Sequence, residues 1–586
     1  MRTLSGKGDK SGATQCRWPM FALLRASLLA TLAVLLFLNT GQARAELRRE
    51  MIAAAHPLAA EAGMKMLAAG GSAVDAAIAI QAMLTLVEPQ SSGIGGGAFM
   101  LYLDAASGTV TAYDGRETAP KAVSESLFLN ADGAPLGFFE AVVGGRAVGV
   151  PGVVRMLELA HAQHGTLKWS DLFGPAISAA TNGFAITPRL NYLLARDTFL
   201  KQSTVAGRFF YRDGEPLPVG YQLRNSALAR SLADIAWNGA EAMYRGPIAA
   251  AIVAAIQGHA TNPGVMTQGD LFHYEAKQRQ ALCTPYRSFR VCGMPPPTSG
   301  GVTIAQILGQ LQHLPIAAAA PGSARAIHLI SEAERRAYAD RGLYLADSDF
   351  VNVPVDALVR PAYLKRRAAT IDPDRSAGPV EPGEPLDRGW DFQPGADLSQ
   401  PSTTHFTIID RAGNVVSMTS SVENAFGSRL MVGGFMLNNQ LTDFSFRPSD
   451  GDGRPVANRV EPGKRPRSSM APTIVLNGDG SLRLAIGSPG GSRIIGYVAR
   501  TIVAVLDWGL DVQAAINLPH HVNRNGATDL ERETPVADQM AALVAMGHEV
   551  TLRALNSGLH GIEQVDGVLR GGADPRREGV VLSGGN

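Results

Sequence analysis

Between Leu58 and Leu86 apolar residues, many of them alanine, recur at helical spacing, and Gly70-Gly71-Ser72 interrupts the run. This predicts two packed helices, with Ser72 placed to cap the second. Ser91-Ser92-Gly93-Ile94-Gly95-Gly96-Gly97 then leads into the strand-like Ala98–Leu103. A dinucleotide-binding loop needs its glycines after a strand and before a helix. Here the order is reversed, so these glycines are read as letting backbones approach closely under a core sheet. A second strand, Thr109–Tyr113, ends at Asp114-Gly115-Arg116-Glu117, and a largely helical middle runs from about Gly152 to Ile256. Cys283 and Cys292 bracket a short hairpin, Pro295–Gly301 opens a helix over Val302–Leu311, and Ala326–Tyr344 is helical and strongly charged.

Ala377–Gln400 is rich in Pro, Gly and Asp, lacks periodicity and reads as an exposed loop. Beyond it the pattern turns to strands. His405–Asp410 and Asn414–Thr419 flank Arg411-Ala412-Gly413, and Thr473–Leu476 and Leu482–Ile486 flank Asn477-Gly478-Asp479-Gly480, so both pairs are predicted hairpins. Val498–Leu506 reads as a buried helix. Strands and helices come in blocks rather than in alternation, which predicts an α+β class with helices outside antiparallel sheets, in a four-layer arrangement.

Composition narrows the function. At 46% hydrophobic and 18% charged, the 586 residues have the balance of a folded globular chain. Against 52 acidic residues stand 53 basic ones, with no basic stripe, so nucleic acid is not an expected partner and a small molecule or peptide is. The start of the chain is read separately from the fold. A basic leader (Arg2, Lys7, Lys10, Arg17, Arg25) precedes the apolar Ala26–Leu38 and the small-x-small Ala43-Arg44-Ala45, which predicts a secretory signal peptide over 1–45. An uncleaved N-terminal anchor is the alternative. No later segment is apolar for long enough to predict a membrane span in the mature protein. Cys16 falls in the leader; in an oxidising compartment Cys283 and Cys292 could form a cross-hairpin disulfide, or remain two thiols on neighbouring strands.

The chain lacks G-x-S-x-G and H-E-x-x-H, and its cysteines lack metal-ligand spacing. His161 and His164 could share a helix face, which is more often a solvated face than a metal site. The distinctive place is Ser402-Thr403-Thr404-His405, where the loop-rich segment meets a buried-looking strand. An N-terminal nucleophile fits there. The Thr403 hydroxyl attacks the Ser402 carbonyl, the ester is hydrolysed, and the freed α-amine of Thr403 serves as general base for its own hydroxyl.

Ordered pieces along the chain resemble the γ-glutamyltransferase (γ-glutamyl transpeptidase, glutathione hydrolase) family, collinearly from about Met51 onward. They are Glu88-Pro89-Gln90 with the following Ser91–Gly97, Pro295–Gly301, Glu332-Ala333-Glu334-Arg335, Tyr338-Ala339-Asp340-Arg341 and Thr403-Thr404-His405. Leu437-Asn438-Asn439-Gln440, Asp443-Phe444-Ser445, Lys464–Thr473 and Gly487-Ser488-Pro489-Gly490-Gly491 continue the series. The resemblance implies an αββα N-terminal nucleophile hydrolase sandwich, with a large subunit 46–402 and a small catalytic subunit 403–586 that stay together after the cut. It implies Thr403 as nucleophile, with Ser421 in the place of a family threonine that orients it. The oxyanion donors would be the backbone N–H groups of Gly490 and Gly491. Arg116, Ser468 and Ser469 would hold the α-carboxylate of a γ-glutamyl group, and Asp443 and Gln440 its ammonium. Read without the family, Arg116 could be a surface ion pair, Asp443 a turn cap and Ser468-Ser469 a strand cap.

The implied activity is cleavage of γ-glutamyl amides such as glutathione through a γ-glutamyl-threonine intermediate, with the acyl group passed to water or to an amino acid or peptide, and with no cofactor or metal. Two departures stand out. Glu423 falls where many family members carry Asn, and the segment from Phe444 to Ser468 is short and offers no tyrosine to close over the pocket. A more open acyl site is therefore expected. Two alternatives remain: an acylase of the same fold acting on a glutaryl or β-lactam side chain, and a non-catalytic binding protein on this scaffold.

Overall fold

Period-two burial places the two faces of each central strand against different partners. In the computed structural model, which describes residues 50–386, 389–395 and 402–584, the strand β1 (Glu50–Ala54) turns Ile52 and Ala54 to one hydrophobic cluster and Met51 and Ala53 to another. The same alternation runs through β2 (Gly97–Asp104), where Ala98, Met100 and Tyr102 oppose Phe99, Leu101 and Leu103. A strand buried on both faces needs a layer on each side, and that requirement gives the stack.

The first sheet has seven antiparallel strands. The remaining members are β3 (Thr109–Gly115), β4 (Lys277–Gln280), β7 (Thr404–Ile409), β8 (Val415–Ser421) and β13 (Val580–Gly584), in the order β13-β1-β7-β8-β2-β3-β4. The second has six, from β5 (Leu282–Tyr286), β6 (Phe289–Gly293), β9 (Thr473–Leu476), β10 (Leu482–Gly487), β11 (His560–Val565) and β12 (Val568–Ala573), in the order β12-β11-β10-β9-β6-β5. Against the outer face of the first sheet lie α1 (Pro57–Ala68), α2 (Ala73–Val87) and the helical middle of the chain. With the second sheet pack α3 (Gly300–Leu311), α4 (Ala324–Tyr344) and α5 (Ile494–Leu506). This is the four-layer αββα sandwich. Strands from both sides of Ser402–Thr403 contribute to each sheet, so cutting that bond would leave the two pieces sharing both sheets.

Several local signals act as read. Ser72 caps α2 in a full capping box with Asp75. Cys283 and Cys292 sit opposite one another on β5 and β6 and form a disulfide. Both predicted hairpins form, as β7–β8 and β9–β10. The helix read as Val498–Leu506 starts earlier, at Ile494, because the loop Gly490–Arg493 runs straight into it. The described residues of 377–400 carry no helix or strand, and 387–388 and 396–401 lie outside the described residues. So does the predicted leader 1–45 with its cleavage site. No helix among the described residues is long and apolar enough to cross a membrane.

Candidate active site

Strand ends from the two sheets converge at one edge of the sandwich. Thr403 immediately precedes β7, and Ser421 ends the neighbouring β8. Antiparallel register sets the two side by side, with Thr404 opposite Ser420, and brings Thr403 Oγ1 to 2.9 Å from Ser421 Oγ. The Ser421 oxygen also accepts the Glu423 N–H at 2.9 Å, which fixes its orientation. From the second sheet, β10 runs out through Ser488-Pro489 to Gly490, whose N–H donates to the Ser402 carbonyl at 3.1 Å.

The Ser402–Thr403 peptide thus lies between a hydroxyl pair and the Gly490 N–H. Ser402 is held from its other side, its Oγ donating to the Gln90 carbonyl at 2.8 Å. Thr403 has φ +89, in the left-handed region where a β-branched residue is an outlier, so backbone strain is concentrated at the Ser402–Thr403 junction. The glycine at 490 is required: its φ is +138, and an added Cβ would come 2.7 Å from Tyr497 Cε2.

Nine of the ten predicted site residues line one pocket (Arg116, Thr403, Ser421, Glu423, Gln440, Asp443, Ser468, Ser469 and Gly491), with Met470 and Ile494 completing it. Gly490, the tenth, is the donor to Ser402. Arg116 follows β3 and is fully buried. Its Nε donates to the Pro466 carbonyl at 3.1 Å, its Nη2 to the Arg467 carbonyl at 3.2 Å and to Asp443 Oδ2 at 2.5 Å. Neither a surface ion pair nor a turn cap describes these two residues. The groups implied for opposite ends of an amino-acid substrate are paired with each other, and an incoming carboxylate and ammonium would take the place of that contact.

The two serines are held as donors. Ser469 Oγ accepts from Arg341 Nη2 at 2.7 Å and Ser468 Oγ from the Met470 N–H at 3.1 Å, so each hydroxyl keeps its proton for a substrate oxygen. Gln440 Oε1 is buried without a hydrogen-bond donor, which an ammonium would supply. Glu423 adopts φ +77, and its Oε2 accepts from Asn439 Nδ2 at 2.5 Å. Beneath Arg116, at 3.5 Å, burial pushes the Glu117 carboxyl up to about 8. In the continuous chain the hydroxyl pair at the floor of the pocket is buried. Thr403 is 4% exposed and Ser421 2%.

His405, two residues from Thr403, faces away. Its ring fills the space between the sheets, with Nδ1 2.8 Å from Thr419 Oγ1 and Nε2 3.2 Å from Thr407 Oγ1, and burial keeps it neutral. No histidine lines the pocket. His161 and His164 serve separate partners, the Leu167 carbonyl and the Tyr113 hydroxyl. A buried cluster of His328, Glu332 and His548 has metal-like spacing. Its ligand atoms are already engaged, the rings with each other at 2.8 Å and Glu332 with Arg335, Arg336 and Ser376, so it is a closed polar network.

Sequence reasoning missed the supports. Arg577 Nη1 donates to the Thr403 carbonyl at 2.8 Å from 174 positions away, with no motif to flag it. Asn438 bridges the Gly95 and Gly149 carbonyls, and Ser299 and Arg341 buttress the Ser468–Ser469 turn. These residues sit in stretches whose pattern was legible while their partners were not. Ser421→Ala removes the hydroxyl that meets Thr403, and should slow both chain cleavage and turnover about 10²-fold without unfolding the sandwich. Gel-resolved processing rates check this, and an unchanged rate would show that Ser421 only packs.

A family profile described as Gamma-glutamyltranspeptidase matches residues 59–584. The glutathione hydrolase proenzyme of Bacillus subtilis (strain 168) is 36% identical over 548 residues, spanning 91% of this chain and 91% of that one. That of Escherichia coli (strain K12) is 37% identical over 557 residues, spanning 92% of each. Among solved structures, the cephalosporin acylase from Bacillus halodurans superposes with a TM-score of 0.81 at 27% identity, covering 92% of this chain and 96% of that one.

Proposed function

The chain belongs to the gamma-glutamyltranspeptidase family, and we propose that it cuts itself before Thr403 into a large subunit ending at Ser402 and a small subunit 403–586, then cleaves γ-glutamyl amides such as glutathione. One observation carries this reading. The Ser402–Thr403 bond lies between a hydroxyl pair and the Gly490 N–H, at the floor of a pocket that pairs Arg116 with Asp443.

In the cut, Thr403 Oγ adds to the Ser402 carbonyl carbon and the C–N bond breaks, giving an ester and a free α-amine. Water then hydrolyses the ester, leaving the Ser402 carboxyl group and regenerating the hydroxyl. In turnover the amine takes the Thr403 hydroxyl proton, Oγ attacks the γ-carbonyl, and Gly490 and Gly491 face the oxyanion, each donor contributing about 3 kcal/mol. The amine of the substrate leaves with a proton, and water or an amino-acid or peptide amine takes up the acyl group. Arg116, Ser468 and Ser469 address the α-carboxylate; Asp443, Gln440 and Glu423 address the ammonium. The proenzyme naming of the relatives supports the two-subunit reading, and the signal-like leader supports export to the periplasm or beyond.

Release of a chromogenic amine from a γ-glutamyl anilide tests the assignment, with a dipeptide acceptor separating transfer from hydrolysis. Cut protein that releases nothing from this substrate would remove it. The acylase reading is favoured by the likeness to cephalosporin acylase, and Glu423 discriminates between the two. A carboxylate beside Asp443 disfavours acyl groups without an ammonium. Glu423→Gln should therefore raise the ratio of glutaryl to γ-glutamyl turnover about tenfold. Parallel kcat/KM measurements on the two anilides check this, and an unmoved ratio would show that Glu423 plays no part in selection.

A further inference from the structure

Arg577 grips the nucleophile's own residue. Its Nη1 donates to the Thr403 carbonyl at 2.8 Å and its Nε to the Ser557 carbonyl at 2.6 Å. Ser557 is itself fixed, its hydroxyl donating to Asp574 and lying 2.6 Å from His520 Nε2. The guanidinium is a rigid, buried charge rather than a surface arm.

Within one residue the amine nitrogen and the carbonyl oxygen are three covalent bonds apart, so a cation bonded to that oxygen stays within about 6 Å of the amine. At that range a positive charge disfavours the ammonium form. In the pocket that Thr403 lines, Asp443 is paired with Arg116 and the Glu423 carboxylate accepts from Asn439, and further charged groups surround Arg577. Arg189 adds positive charge. Glu88 lies buried 3.9 Å from Arg189, and burial raises its carboxyl against the pull of Arg577 and Arg189. Asp574 is engaged by Arg576, Ser557 and the Leu559 N–H. His560 is held neutral by burial, as is Tyr497, and Glu578 accepts from the Arg189 N–H. Burial lowers Arg577 itself only to about 9, so it stays charged at neutral pH.

We propose that Arg577 is a positioning residue that fixes the Thr403 main chain and lowers the basicity of its freed α-amine, so that the amine is a free base at neutral pH. An ordinary α-amine titrates at about 7.7–8.0 and would be mostly protonated there, unable to take the hydroxyl proton. The inference rests on the self-cutting reading above and goes beyond it by naming what tunes the base.

The test is the titration of that amine in the mature two-subunit enzyme. The pH dependence of reductive methylation at the small-subunit N-terminus, followed by mass spectrometry, should give a midpoint about one unit below the ordinary value. The acid limb of kcat/KM should fall at the same pH. Arg577→Gln should move both upward by about one unit, and Arg577→Lys, which keeps the charge, should restore them. A wild-type midpoint at or above the ordinary value overturns the proposal without any variant, as does an Arg577→Gln limb superimposed on the wild type. A protein that never exposes Thr403 as an N-terminus would instead refute the self-cutting reading, so the two failures are distinguishable.

Discussion

Thr403→Ala is expected to yield one uncut chain with no amide cleavage. Only the Thr403 hydroxyl lies at the Ser402 carbonyl's own residue boundary with a hydrogen-bonding partner, Ser421, and an oxyanion donor, Gly490, already in place. Removing the hydroxyl removes the nucleophile of both reactions and, because the bond stays closed, the amine that would serve as base. Deleting a nucleophile from a preorganised constellation costs on the order of 10⁶-fold in turnover. The fold should survive, since the lost methyl and hydroxyl pack at the pocket floor rather than in either hydrophobic cluster. Thr403→Ser keeps the hydroxyl and should still cut, more slowly. Denaturing gels of both variants decide the point: two normal subunits from Thr403→Ala would mean that some other group breaks the chain.

Much of the sandwich was legible because its strands are short, largely apolar runs closed by hairpin glycines, as at Asn477–Gly480. Boundaries slipped where geometry beyond the local pattern decides them, as at Ile494, where the turn Gly491–Arg493 feeds directly into α5. The site residues were legible as types in ordered motifs, and Arg116, Asp443, Ser468 and Ser469 indeed line one pocket. Contacts between remote segments were not legible. Nothing in Asp574-Pro575-Arg576-Arg577 announces that its last side chain reaches Thr403, and nothing in Ala339–Arg341 announces that Arg341 holds Ser469. Nor could the sequence reveal that Arg116 and Asp443 bind each other.

Arg116→Lys should separate the two reactions. The guanidinium makes three bonds at once, to the Pro466 and Arg467 carbonyls and to Asp443, and its planar fork matches a carboxylate as no ammonium can. Lysine retains the charge that Asp443 and the buried Glu117 face, so the pocket should not collapse around an unpaired anion. What is lost is the substrate's α-carboxylate grip, and kcat/KM for the γ-glutamyl anilide should fall about 10²–10³-fold, roughly 3–4 kcal/mol. Most of the loss should fall in KM if the carboxylate is held equally in the ground and transition states. Self-cleavage should proceed at nearly the wild-type rate, because the groups bonded to the Ser402–Thr403 peptide are Gly490, Ser421, Gln90 and Arg577, and no substrate carboxylate takes part. Normal cutting with failed turnover would locate Arg116 in recognition alone. Loss of both together would instead make the Arg116–Asp443 pair a structural brace for the edge of the sandwich, and would move carboxylate recognition to Ser468 and Ser469.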